Sequence, residues 1–214
     1  MLKGVIFDMD GTLIDTLSHS FEAFNHGFTQ YGAKRHTPQE ILAYFGPSEG
    51  DIFSRVVGVE NGKKAYQAFR QYMDEHVTEM PIHSGIEELL AVLEENKIPF
   101  SIFTGRSWDT TEIILRHHGL LERFVTIVTS SHVGLSKPSP EGLYLALSRM
   151  KLEPSEVLFV GDSPSDLQVA HAAGSTGVAA LWDVMAKRED LAPHRPHHWA
   201  ETPMAVWEIF QQRS

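Results

Sequence analysis

The chain's 214 residues suffice for one full domain, or for a core domain carrying a smaller insertion, and 42% apolar with 21% charged residues is the balance of a folded globular protein. With 18 basic against 28 acidic side chains the formal charge is −10, which speaks against a broad basic surface for nucleic acid and requires an anionic substrate to find a local positive site. There is no cysteine, so disulfides, zinc–thiolate sites and cysteine nucleophiles are excluded.

The apolar stretch at Met1 to Phe7 is too short for a signal peptide, and no run approaches the roughly 18 apolar residues of a membrane span. A cytoplasmic protein without nucleic-acid or membrane partners is expected. Val5-Ile6-Phe7, β-branched and aromatic, reads as a buried strand ending at Asp8. From Thr16 to Glu79 the pattern turns helical, with Phe21, Phe24 and Phe28 near helical spacing. Breakers at Thr37-Pro38, Gly46-Pro47 and Asn61-Gly62 divide this stretch into roughly four helices. Its aromatic and methionine positions, Tyr72 and Met73 included, read as a packing core.

After Pro81 strands and helices alternate. Ser84 to Glu87 opens a helix with a capping box, and Leu89, Leu90 and Leu93 form its apolar face. Strands follow at Pro99–Phe103, Phe124–Val128, Val157–Val160 and Gly177–Leu181, with helices at Ser107–His118, Pro140–Met150 and Pro164–Ala172. The alternation predicts an α/β fold: a Rossmann-like, mostly parallel sheet with helices on both faces. Residues 1–15 and 81–214 form the core, and residues 16–80 an inserted helical bundle.

In such sheets ligands bind beyond the carboxyl ends of the strands, so polar residues there are the candidates for chemistry. Those positions hold Asp8-Met9-Asp10-Gly11-Thr12, Thr104-Gly105-Arg106, Ser136-Lys137-Pro138 and Gly161-Asp162-Ser163-Pro164-Ser165-Asp166. Three carboxylates on one rim, Asp8, Asp10 and Asp162, repel one another. Two unit charges about 4 Å apart cost roughly 4 kcal/mol at an effective dielectric of 20. Oxygen ligands of this kind suit Mg²⁺, and Lys137 adds a second positive charge. Preceding a proline, Lys137 belongs in a loop.

The order Asp-x-Asp-Gly-Thr, then Thr, Lys-Pro and Gly-Asp-x-x-x-Asp, resembles the haloacid dehalogenase-like hydrolase superfamily, and the helical insertion resembles that family's small cap. The resemblance implies a phosphatase in which Asp8 is the nucleophile and forms an aspartyl-phosphate. It implies that Asp10 protonates the leaving oxygen and then deprotonates water, while Thr104 and Lys137 bind the phosphoryl oxygens. It assigns Mg²⁺ to Asp8, the Asp10 backbone carbonyl and Asp162, with Asp166 acting behind them. Asp10 marks a phosphomonoester or phosphoanhydride leaving group. Gly105-Arg106 replaces the common asparagine after Thr104, similar to pyrophosphatase-like and phosphoglycolate-phosphatase-like members that carry Gly-Lys, and Arg106 is then an additional phosphate ligand. A small phosphorylated substrate is implied, with phosphoglycolate and pyrophosphate foremost and hexose phosphates next. A phosphomutase of the same family is the alternative. A monomer is expected.

An EF-hand loop starting at Asp8 fails, because its sixth and twelfth positions hold Leu13 and His19. Asp166 fits equally a helix start, with Ser163 as N-cap and Pro164 first. His194 to His198 reads as a tail or loop rather than a metal site, and Gly58 to Lys64 lacks phosphate-loop spacing. Gly46-Pro47-Ser48-Glu49-Gly50 matches a serine nucleophile elbow, the distant alternative of an esterase, but helix-like residues precede it where a strand is needed. A receiver-like phosphoacceptor would lack the second aspartate. In the phosphatase reading the Ser48 loop faces the site and helps choose the substrate. Glu49, Arg55, Lys63, Lys64 and Arg70 face either cleft or solvent.

Overall fold

A computed structural model describes residues 1–213. Six strands, β1 Gly4–Phe7, β2 Phe100–Phe103, β3 Ile127–Val128, β4 Val157–Gly161, β5 Thr176–Ala180 and β6 His198–Ala200, form one sheet in the order β3-β2-β1-β4-β5-β6. All pairs are parallel. Strand side chains alternate between faces, so each short run feeds two cores. Val5, Phe7, Phe100, Ile102, Leu158 and Val160 point to one side. Ile6, Phe103, Val157 and Phe159 point to the other. Each such fully buried side chain contributes about 1.5–3 kcal/mol.

The first face is covered by α5 Ile86–Glu95, α6 Trp108–His117 and α10 Pro203–Arg213, and the second by α7 Glu141–Met150 and α8 Pro164–Ala173. A short helix, α9 Arg188–Leu191, precedes β6. The chain leaves β1 toward β2 on one side and leaves β4 toward β5 on the other, which opens a crevice at the carboxyl ends of β1 and β4. Phe7 is in register with Val160, so Asp8 and Asp162 emerge side by side. No described helix is long and apolar enough to cross a membrane.

Between β1 and α5 lies the helical cap: α1 Leu17–Gln30, α2 Pro38–Leu42, α3 Glu49–Val57 and α4 Val59–Glu75. Its core is a cluster of phenylalanines. Phe24 stacks on Phe53 at 5.3 Å between centroids and tilts against Phe69 at 4.7 Å, and Phe28 meets Phe53 at 5.1 Å. Thr37 and Glu40 cap α2 reciprocally, through Glu40 N–H to Thr37 Oγ1 at 3.2 Å and Thr37 N–H to a Glu40 carboxylate oxygen at 2.7 Å.

The structure corrects several sequence expectations. Asn61-Gly62 does not break a helix. The break is at Gly58, with φ +83°, and Gly62 lies within α4, where the lack of a β-carbon lets α4 pack against α3, since one there would come to 2.5 Å from Ser54 Oγ. The start of α5 has no capping box, since Gly85 in the left-handed region takes the N-cap position. The strand at Phe124–Val128 contracts to its last two residues, and Val125 is exposed. The histidine-rich segment is not a tail: His198 opens β6, too short and too poor in β-branched residues to signal a strand, and α10 follows it.

Candidate active site

Beyond β1 the chain makes a tight turn, in which the Leu13 and Ile14 N–H groups both donate to the Met9 carbonyl. Gly11 sits there with φ +75°, and any side chain on it would collide with the Asp162 carboxylate. Thr12 donates its hydroxyl to Asp162 Oδ1 at 2.7 Å, which fixes that carboxylate beside the turn. The α7 side of the site supplies Lys137 from a loop. Its Nζ donates to Asp8 Oδ1 at 2.8 Å and Asp166 Oδ1 at 2.6 Å, and lies 4.9 Å from the Phe103 ring centroid.

Asp166 has two tasks, one per oxygen. Oδ1 holds Lys137, while Oδ2 accepts the Ser163 N–H at 3.1 Å and the Ser163 hydroxyl at 2.6 Å at the start of α8. One carboxylate thus caps α8 and holds Lys137 at the same time. Asp8, Asp162 and Asp166 each offer a carboxylate oxygen, all within 4.8 Å of one another.

One ammonium does not balance three carboxylates. Burial pushes the Asp8 carboxyl up to about 7 against the pull of Lys137, with Asp166 and Asp10 adding to the rise. Burial, Asp8 and Asp166 likewise hold Asp162 well above the usual carboxylate range, although Thr12 opposes them. For Lys137 burial favours the neutral amine, but Asp166 and Asp8 outweigh it and the ammonium is held above its ordinary value.

A second ionic group sits on the cap side of the crevice. Arg106, 6% exposed, grips Asp10 through Nε at 3.0 and 3.1 Å and Nη2 at 2.8 Å, and Nη2 also donates to Ser20 of α1 at 2.6 Å. Its Nη1 lies 3.7 Å from Glu49 Oε1 and has no hydrogen-bond partner among the described residues. Asp10 further accepts the Thr16 hydroxyl. Glu49, on α3, accepts the Ser107 N–H at 3.2 Å and the Thr110 hydroxyl at 3.3 Å at the start of α6. Burial raises the Glu49 carboxyl even against the Arg106 charge. Tyr66 to Ser107 at 2.8 Å and Arg70 to Asp109 at 3.2 Å complete the seam between cap and core.

The cavity in this crevice, about 300 Å³, is lined by Asp8, Asp10, Thr104, Gly105, Arg106, Lys137 and Asp162. Thr104 is buried, and its oxygen accepts the Arg106 N–H at 3.2 Å, which leaves its hydroxyl hydrogen free to point at a ligand. Ser48 is not part of the lining, although its neighbours Pro47 and Glu49 are. It is the N-cap of α3, with its hydroxyl on Asp51 at 2.7 Å, and helix α2 rather than a strand precedes it. The esterase elbow has no support. Arg55, Lys63 and Lys64 also lie outside the lining. Glu49 stood among many cap candidates in the sequence, because its partners at 107 and 110 lie some 60 positions away along the chain.

The haloacid dehalogenase-like hydrolase family model matches residues 5–180. Among curated relatives, pyrophosphatase PpaX of Bacillus pumilus is 32% identical over 197 residues, covering 91% of this chain and 90% of its own. An N-acetylmuramic acid 6-phosphate phosphatase of Pseudomonas putida is 27% identical over 203 residues, covering 92% and 89%. A Haemophilus somnus crystal structure described as a predicted phosphoglycolate phosphatase superposes with a TM-score of 0.85 at 20% identity, covering 97% of both chains, and shows the shared fold. With a family model reaching from β1 to the end of β5 and covering the cap and all four strand-end motifs, the chain belongs to the haloacid dehalogenase-like hydrolases.

Proposed function

We propose that this hydrolase is a magnesium-dependent phosphatase that passes the phosphoryl group of a small phosphorylated metabolite first to Asp8 and then to water. The carrying observation is the convergence of Asp8, Asp162 and Asp166 within 4.8 Å, beside the Lys137 ammonium. That donor set fits a hard divalent cation: buried carboxylate oxygens, more negative charge than Lys137 can balance, and a crevice open toward a ligand. Mg²⁺ would be held by Asp8, Asp162 and the Asp10 backbone carbonyl, with Asp166 behind them. When bound, the ion supplies neutralisation of the charge on the transferred phosphoryl group.

The chain's own residues do the rest. An Asp8 oxygen attacks phosphorus, and the bond to the leaving oxygen breaks as Asp10 delivers a proton to it. Thr104 donates its free hydroxyl hydrogen to a phosphoryl oxygen, and Lys137 holds Asp8 in place while offsetting charge. Water, deprotonated by Asp10, then releases phosphate from Asp8. For Asp10 to carry a proton the Arg106 fork must loosen, and Arg106 is shared with Ser20 and Glu49 of the cap. Residues 16–80 thus act as a cap domain over the core of residues 1–15 and 81–214, and closure excludes water. A cytoplasmic monomer completes the proposal. Pyrophosphate and a sugar phosphate are named for the relatives, and phosphoglycolate for the structural neighbour.

The test is phosphate release from a panel of phosphoglycolate, pyrophosphate and hexose phosphates, with Mg²⁺ or with EDTA. Hydrolysis should require Mg²⁺ and vanish in Asp8→Asn. Turnover that persists in Asp8→Asn would overturn the proposal.

A further inference from the structure

The proposed phosphoryl site occupies only the core half of the cavity. The cap half is built from Leu17, Phe24, Leu42, Phe45 and Ile52. The only polar side chains contributed by the cap are Ser20 and Glu49. Ser20 accepts from Arg106 Nη2 and keeps one hydroxyl hydrogen to donate, while Glu49 accepts from Ser107 and Thr110. Phe24 is stacked into the phenylalanine cluster, which gives this wall a rigid backing. Leu42 and Phe45, at 40% and 45% exposure, stand at the mouth.

The charge inventory points the same way. Two bases line the cavity, Lys137 and Arg106, against four acids, Asp8, Asp10, Glu49 and Asp162. Lys137 is shared by Asp8 and Asp166, and Arg106 by Asp10 and Glu49. One divalent cation and the substrate's phosphate would together leave no positive charge over for a second anionic group. Such a group on the leaving side would instead lie against Asp10 and Glu49, across an apolar wall that cannot solvate it. A ring of sugar hydroxyls would find on this wall only the Ser20 hydroxyl and the Glu49 carboxylate, too few partners for its several hydroxyls.

Resting on the phosphatase reading for the position of the phosphate, we infer that the substrate is a monophosphate ester of an uncharged, hydrocarbon-rich alcohol, an alkyl or aryl phosphate of metabolite size. The cavity of about 300 Å³ lies at the small end for a ligand site and suits a compact leaving group. The cap then selects by apolar contact, and pyrophosphate and phosphoglycolate are poor substrates of this chain.

The test compares propyl phosphate and phenyl phosphate with phosphoglycolate, pyrophosphate and glucose 6-phosphate at fixed free Mg²⁺, by kcat/KM on the native chain and by calorimetric affinity on Asp8→Asn. The esters of the uncharged alcohols should lead by at least tenfold in both. Leu42→Arg, at the exposed mouth, should narrow the gap to phosphoglycolate at least fivefold by supplying the missing cation, and should raise KM for propyl phosphate more than it lowers kcat. Equal or tighter binding of phosphoglycolate or pyrophosphate overturns the inference, and does so even if Asp8-dependent hydrolysis is intact. Conversely, if the rank order holds in binding while turnover survives Asp8→Asn, the pocket assignment stands and the mechanism falls.

Discussion

Lys137→Met removes the ammonium and leaves its aliphatic stem against Phe103 and Phe159. Two ion pairs are lost, at 2.8 Å to Asp8 and 2.6 Å to Asp166. At an effective dielectric of 20 each is worth roughly 6 kcal/mol before desolvation. Burying the ammonium takes back several kcal/mol, so the net loss should be about 3–5 kcal/mol, the usual result when one partner of a buried pair is removed. For a chain of this length that is a fall in Tm on the order of 10 °C. Thermal and urea unfolding at pH 8 without metal would measure it. The loss should shrink at pH 5.5, where Asp8, raised to about 7, is already protonated and its ion pair with Lys137 no longer counts. A variant as stable as the native chain at pH 8 would refute the idea that Lys137 neutralises this cluster.

The raised Asp8 carboxyl gives a second expectation. Its folded value of about 7 lies above the ordinary aspartate range, so the folded state binds the proton more tightly. Metal-free stability should therefore fall as pH rises from about 4 to 7, by up to roughly 1.4 kcal/mol per pH unit for that one proton. Mg²⁺ should restore more stability at pH 8 than at pH 5.5, and its binding should release protons near pH 6.5, readable by calorimetry in buffers of different ionisation enthalpy. A metal effect independent of pH would contradict this. Glu49→Ala leaves the Ser107 N–H and Arg106 Nη1 without their carboxylate and should cost about 1–3 kcal/mol. It should also speed hydrogen exchange at the start of α6 and raise KM more than it lowers kcat, and unchanged exchange would mean the seam does not hold the cap. Ser48→Ala should cost about 1 kcal/mol through loss of the α3 cap while kcat stays within twofold. Loss of turnover there would revive the esterase reading.

The parts of this molecule that could be read from the chain are those in which one short run determines its own surroundings. Val5-Ile6-Phe7 and Val157 to Val160 could only be buried strands, and parallel packing then forced Asp8 and Asp162 together. Ser163-Pro164-Ser165-Asp166 likewise spelled a helix start, and the second oxygen of Asp166 was left over for Lys137. What escaped depends on partners remote in sequence. Gly62 resembles a breaker until Ser54 is seen packed against it. His198 resembles a tail until β5 is seen beside it. Glu49 could be placed only once α6 was known to start opposite α3, and Arg106, read as a phosphate ligand, is held by two acids and a serine from three separate segments, the Asp10 turn, α3 and α1.

The central claim is that phosphorus is transferred to Asp8, and quenched-flow mixing with ³²P-labelled substrate and Mg²⁺ addresses it directly. After acid quench and digestion, acid-stable, base-labile label should appear on the peptide carrying Asp8. Label on any other residue, Ser48 included, would contradict the mechanism.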